Sequence, residues 1–250
     1  MWLRKKFDIE RSSYHREDDG GTTARHAIAL VIQSRVMNRR RSRASERARR
    51  TPGGPPSQDR NTPHRGKGQL RLIGGRFRRR QLPIPDSPGL RPTPDRVRET
   101  LFNWLAFELP GRRVLDLFAG TGALGLEALS RGAGQVTFVE SMPAVAEALA
   151  TNLKTLDAEG EIQTATSADF LARPPSPFDI VFLDPPFRQG LAEATCECLE
   201  QRGWLAPDAM IYVETEHTLD WQPPAGWHLH REVRAGDSHG RLFRRHGDSG

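Results

Sequence analysis

The chain has 250 residues, enough for one sizeable domain and a tail, and carries 37 Lys and Arg against 31 Asp and Glu. The net charge of +6 is split: residues 1–100 hold 25 basic against 10 acidic side chains, residues 101–250 hold 12 against 21. A basic arm on an acidic domain is the expected footprint of a nucleic-acid partner. Cys196 and Cys198 are poorly placed to pair, no Cys/His cluster has zinc spacing, and Ala27 to Ile32 is too short to span a bilayer or serve as a signal peptide. A soluble, cytoplasmic protein without disulfide or metal is expected.

Residues 1–66 are charged and poor in apolar side chains. Arg39-Arg40-Arg41, Arg43, Arg47, Arg49 and Arg50 precede Thr51-Pro52-Gly53-Gly54-Pro55-Pro56. Such a segment cannot bury enough apolar surface to offset its ordering entropy, so it reads as a disordered basic extension. Met37, just before the arginine cluster, is an alternative start of translation. The folded domain is expected over 67–250, with a small element at 67–108 and the main core at 109–250.

Leu70, Leu72, Ile73, Phe77 and Leu82 around Gly74-Gly75 predict a β-hairpin, with Arg76, Arg78, Arg79 and Arg80 on its exposed side. Thr93 then reads as N-cap and Pro94 as the first residue of a helix. Val97, Leu101, Trp104 and Leu105 give it one apolar face, off which Arg96 and Arg98 fall. Strands and helices alternate from there: strand 114–118, helix 122–131, strand 136–140, helix 142–156, a short strand near Ile162 to Thr164, strand 180–184, helix 189–201 and strand Met210 to Glu214. Two closing strands lie near Trp227 to Val233 and Gly240 to Arg244. This rhythm means an α/β fold with a mostly parallel sheet and helices on both faces.

Two strand ends carry chemistry. Gly120, Gly122 and Gly125 follow strand 114–118 as G-x-G-x-x-G, and Glu140 closes the next strand. Spacing alone fits a dinucleotide-binding unit. Asp116 points elsewhere: a carboxylate aimed at the glycine turn repels a pyrophosphate and attracts a cation, such as the ammonium and sulfonium of S-adenosylmethionine. The second end is Asp184-Pro185-Pro186-Phe187. Its prolines stop the ladder and stiffen the loop. A carboxylate, the Pro185 carbonyl and a flat ring then suit a planar base with an exocyclic amine.

Asp116-x-Phe118-x-Gly120-x-Gly122 resembles the cofactor loop of class I S-adenosylmethionine-dependent methyltransferases, and Asp184-Pro185-Pro186-Phe187 resembles their amino-methylating catalytic loop. With Arg71-Leu72-Ile73-Gly74-Gly75-Arg76-Phe77 and the block from Arg91 to Leu105, the chain from Gln69 to Arg245 is similar to the bacterial 16S ribosomal RNA (guanine-966-N2)-methyltransferase family, the RsmD type. The resemblance implies a Rossmann-like sheet of seven strands whose last hairpin is antiparallel, preceded by the small hairpin and helix. It implies S-adenosylmethionine held by Asp116 at its ammonium, by the Phe118, Ala119, Gly120 and Gly122 loop, and by Glu140 on the ribose with Ser141 and Met142 beside it. Asp169 and Phe170 border the adenine, and Arg91 and Thr93 close over the methionine end. Asp184, Pro185, Pro186 and Phe187 are the catalytic loop, and Arg76, Arg78, Arg79, Arg80, Arg96 and Arg98 are candidate RNA contacts. The implied partner is 16S rRNA or an assembling 30S subunit, for a monomer without metal or membrane.

Asp184 can position the amine or take its proton; related loops that work with Asn there favour positioning. Two other functions stay open on sequence: amino-methylation of adenine N6, although no room remains for a DNA-recognition domain, and a non-catalytic RNA-binding assembly factor.

Overall fold

The computed structural model describes residues 68–87, 90 and 93–247. The extension expected over 1–66, and Arg91, lie outside the described residues. The hairpin forms from β1 (Gln69–Arg71) and β2 (Gln81–Pro83), antiparallel, with Leu70 opposite Leu82. Both leucines are buried, as are Leu72, Phe77 and Ile84, so one side of the hairpin is core. Helix α1 (Asp95–Trp104) follows and buries Val97, Leu101 and Phe102. Its start corrects the expected cap: Pro94 is the N-cap, no side chain caps the helix, and the Thr93 hydroxyl points to another partner.

The main sheet has seven strands: β3 (Arg113–Asp116), β4 (Gln135–Glu140), β5 (Glu161–Thr164), β6 (Phe178–Leu183), β7 (Leu205–Glu216), β8 (Trp227–Ala235) and β9 (Ser238–Arg245). Their order is β5-β4-β3-β6-β7-β9-β8. The first five in this order run parallel, and β9 lies antiparallel to both β7 and β8. Between them come α2 (Ala123–Ser130), α3 (Pro143–Leu156), α4 (Ser167–Leu171) and α5 (Leu191–Gln201). The sequence reading lacks α4, a five-residue helix capped by the Thr166 hydroxyl on the Asp169 amide.

Alternation along the strands sorts the core into two layers. Val114, Val136, Phe138, Ile180, Phe182, Met210 and Tyr212 share one layer with the hairpin, α1, α2 and α3. Leu115, Val139, Val181, Leu183, Ile211 and Val213 share the other with α4 and α5. Cys196 and Cys198 are free thiols, both buried on the α5 side. Among the described residues no helix is long and apolar enough to cross a membrane.

The hairpin is bolted to α2. Glu127, fully buried, accepts the Ile73 amide at 2.8 Å on Oε2 and the Gly74 amide at 2.8 Å on Oε1. Ser130 adds its carbonyl to the Arg76 amide at 2.7 Å and its hydroxyl oxygen to the Phe77 amide at 3.0 Å. Gly74-Gly75 therefore serves close approach within the loop of residues 72–80: a Cβ on Gly75, whose φ is +72°, would lie 1.8 Å from the Ser130 carbonyl oxygen.

Arg98 belongs to the same clamp, which corrects its assignment to RNA. It is 0% exposed, donates to the Arg71 carbonyl at 2.8 Å and to Asp95 at 2.6 Å, and lies 3.7 Å from Glu127. A guanidinium enclosed in this way neutralises Glu127 and cannot meet a phosphate outside.

Candidate active site

The chain leaves β3 for β4 and β5 on one side and returns to β6 and β7 on the other, so a crevice opens at the carboxyl ends of β3 and β6. Register decides which side chains face it. Asp116 pairs with Phe138 on β4 and Phe182 on β6, and Phe182 pairs with Tyr212 on β7. Two residues further along each neighbouring strand, on the same face, stand Glu140, Asp184 and Glu214. Four acids thus line one face where four adjacent strands end. Asp116 and Glu140, the two beside the glycine loop, suit a positively charged ligand.

The cofactor loop is tied to two of these acids. Asp116, 2% exposed, accepts the Gly125 amide at 2.9 Å. Glu140 accepts the Gly120 amide at 2.9 Å with one oxygen and the Met142 amide at 2.7 Å with the other. Gly120 and Gly122 have φ of +50° and +75°, and Gly122 caps α2 without a side chain. Gly125 is a packing glycine, since a Cβ there would lie 2.2 Å from the Phe138 ring. Burial pushes the Asp116 carboxyl up to about 7; the Gly125 N–H opposes that and the charge of Glu140 adds to it.

Ser141 and Met142 are exposed, with the Ser87 hydroxyl 3.9 Å from the Met142 sulfur. Asp169 is exposed and accepts the Thr166 hydroxyl at 2.8 Å. The Phe170 ring is buried in the α4–α5 layer, 4.9 Å from the Trp204 ring. Phe118 is half-buried and Ala119 buried.

The second loop leaves β6 at Leu183. Asp184 accepts the Thr93 hydroxyl at 3.2 Å, which brings the segment ahead of α1 to the crevice. Burial, then the charge of Glu214, raises the Asp184 carboxyl well above the ordinary range; Thr93 opposes the rise and Asp116 adds to it. Pro185 is buried and Pro186 exposed, while the Phe187 ring is 36% exposed. An uncovered ring beside a half-buried acid can stack on a planar base. Arg188 follows with φ of 62°, its amide donating to Glu216 at 3.1 Å.

Arg76, Arg78, Arg79, Arg80 and Arg96 are exposed. The Arg76 guanidinium lies 4.3 Å from the centre of the Phe77 ring, and Arg80 donates to the Thr155 carbonyl at 2.8 Å. Glu214, 4% exposed, and its partners Tyr212 and Ser238 are absent from the expected site residues. The period-two pattern of the strand from Met210 was the available signal, since it ends in an acid on the Asp184 face.

Sheet order, glycine loop and acid-proline-proline-aromatic loop together define a class I methyltransferase. The family model described as "Conserved hypothetical protein 95" matches residues 70–244, and the chain belongs to that family. Ribosomal RNA small subunit methyltransferase D of Escherichia coli (strain K12) is 54% identical over 184 residues, 73% of this chain and 93% of that protein. Its namesake from Haemophilus influenzae (strain Rd) is 47% identical over 182 residues, 71% of this chain and 94% of that protein. The solved structure of yhhF, a methyltransferase candidate from Escherichia coli, superposes with a TM-score of 0.68 at 50% identity, covering 72% of this chain and all of that one.

Proposed function

We propose that this protein transfers a methyl group from S-adenosyl-L-methionine to the exocyclic N2 of a guanine in 16S ribosomal RNA, guanine 966 of the small subunit. The observation that carries the reading is the Asp184-Pro185-Pro186-Phe187 loop at the sheet's switch point, with a half-buried acid and an uncovered ring. The names of the relatives, which specify small-subunit ribosomal RNA, support the substrate.

Bound S-adenosylmethionine supplies an electrophilic methyl on a sulfonium, already a good leaving group, so the protein's task is placement. Asp116 would hold the ammonium, Gly120 and Gly122 would let the backbone approach, and Glu140 would take the ribose hydroxyls while it holds the loop amides. The guanine N2 lone pair is delocalised into the ring. Hydrogen bonds from its protons to the Asp184 carboxylate and the Pro185 carbonyl would favour a pyramidal nitrogen and stabilise the charge developing there. Phe187 would stack on the base, a contact of roughly 1–3 kcal/mol. The target must leave its stack to enter, and the exposed arginines of the hairpin and Arg96 would hold the flanking phosphates.

Tritiated methyl transfer to rRNA, DNA and assembled subunits, followed by mapping of the labelled nucleotide, tests this. Label on N2 of guanine 966 is the expected result. Label on adenine N6, or none on any substrate, overturns it.

A further inference from the structure

We propose that Glu214 is a positioning residue for methyl transfer, fixed beside Asp184 so that the Asp184 carboxylate takes the proton the guanine amine gives up. The inference rests on the reading of the Asp184 loop as the amine-methylating site.

The juxtaposition follows from strand register. Leu183 pairs with Val213, so Asp184 and Glu214 come next on neighbouring strands, on the face of Phe182 and Tyr212. Both Glu214 oxygens are occupied by donors from its far side: the Tyr212 hydroxyl at 2.9 Å and the Ser238 hydroxyl at 2.5 Å. The Tyr212 ring fits beneath β9 because Gly240, paired with Glu214, lacks a side chain; a Cβ there would lie 2.2 Å from the tyrosine oxygen. Burial, then Glu214, pushes the Tyr212 phenol further up, which keeps it a donor. Tyr212, Ser238 and the space left at Gly240 thus hold the buried Glu214 carboxylate in one place.

Its effect falls on Asp184. Among the described residues the groups around Asp184 include Asp116 on β3, Glu140 on β4 beyond it, Glu214 and the Tyr212 phenol on β7, and the Thr93 hydroxyl ahead of α1. Three of them are acids, whereas the hydrogen bond from Thr93 favours an ionised Asp184. A like charge on the adjoining strand makes Asp184 a stronger proton acceptor than an exposed aspartate. In the transfer the nitrogen gains its bond to carbon while sulfur keeps the electron pair of the broken bond. The nitrogen becomes positive, its proton passes to Asp184, and Asp184 releases it to water. A base whose proton affinity lies near the working pH is the efficient one for that step.

NMR of the carboxyl carbons in the cofactor-free full chain, with Asp184 assigned through Asp184→Asn, tests the charge coupling without turnover. Asp184 is expected to titrate above the ordinary carboxylate range in the wild type, and at lower pH in Glu214→Gln. The acid limb of single-turnover methyl transfer should move down with it and the plateau rate fall several-fold, while S-adenosylmethionine affinity holds and Glu214→Asp restores the limb. An ordinary Asp184 titration in the wild type overturns the proposal even if Glu214→Gln does not fold, as do superimposable wild-type and Glu214→Gln titrations. A wild-type protein that methylates no nucleic acid overturns the functional reading instead, whatever the titration shows.

Discussion

The Thr93 hydroxyl donates to Asp184 across 91 positions of sequence, joining the segment ahead of α1 to the end of β6. This bond favours the ionised carboxylate, against burial and Glu214. Thr93→Val, which keeps the shape and removes the donor, should raise the proton affinity of Asp184 and move the acid limb of methyl transfer to higher pH. Thr93→Ser should leave the limb in place. A pH–rate profile of both variants checks it, and an unmoved limb in Thr93→Val would show the bond has no hold on Asp184.

Cofactor binding should release a proton. With Asp116 raised to about 7, only the unfolded chain ionises this group between its ordinary value, about 3.8, and that pH. Its contribution to stability is therefore full below about pH 4 and is lost as pH rises through about 7. An ammonium ligand favours the ionised form, so affinity for S-adenosylmethionine should rise from about pH 5.5 to about pH 7.5. Calorimetry in buffers of different ionisation enthalpy measures the released proton. Asp116→Asn should abolish the release and weaken binding at the upper pH.

Asp184→Ala removes both the acceptor for the amine and the acceptor for its proton. Asp184→Asn keeps a carbonyl and removes the second role, so transfer should fall on the order of 10²–10⁴ in Asn and further in Ala. Cofactor affinity should hold in both. Phe187→Ala should raise KM for RNA, and Phe187→Tyr should be tolerated. Full transfer by Asp184→Ala would take the catalytic assignment away from this loop.

Arg98 and Arg96 should separate stability from RNA binding. Arg98→Ala leaves the buried Glu127 with one partner fewer, a loss of about 3 kcal/mol in denaturant unfolding, with RNA affinity of the folded protein unchanged. Arg96→Ala should leave stability within about 0.5 kcal/mol and weaken RNA binding in a salt-dependent way. The opposite pattern would return Arg98 to the RNA surface.

Deleting residues 1–66 should raise the dissociation constant for RNA and flatten its dependence on salt, while S-adenosylmethionine affinity survives. Unchanged RNA binding at every salt concentration would deny the arm a part in recognition.

The alternation of buried strand runs with amphipathic helices was enough to read the sheet, because most of the runs from Val114 to Glu214 close on or beside a glycine, proline or acid. What escaped the reading lies across the chain. The α4 helix is too short for a periodic signal. Arg98 sits off its helix's apolar stripe and looks solvated until Glu127, 29 positions later, meets it. The Thr93 pattern matches a helix cap, yet its hydroxyl has a stronger claim elsewhere. Glu214 ends a strand in the manner of any acid, and only the register with β6 sets it beside Asp184.

The Glu127 clamp also bears on synthesis. The hairpin leaves the ribosome first, but the carboxylate that receives its Ile73 and Gly74 amides is translated 54 and 53 residues later. Further on, Asn152 donates to Pro83 and Arg80 to Thr155, so α3 is needed to close the same surface. The N-terminal element therefore has no finished partner until the first half of the sheet has emerged. The nascent chain must keep its apolar leucines waiting, and a fragment beginning after the hairpin would expose the helix face they are destined to cover.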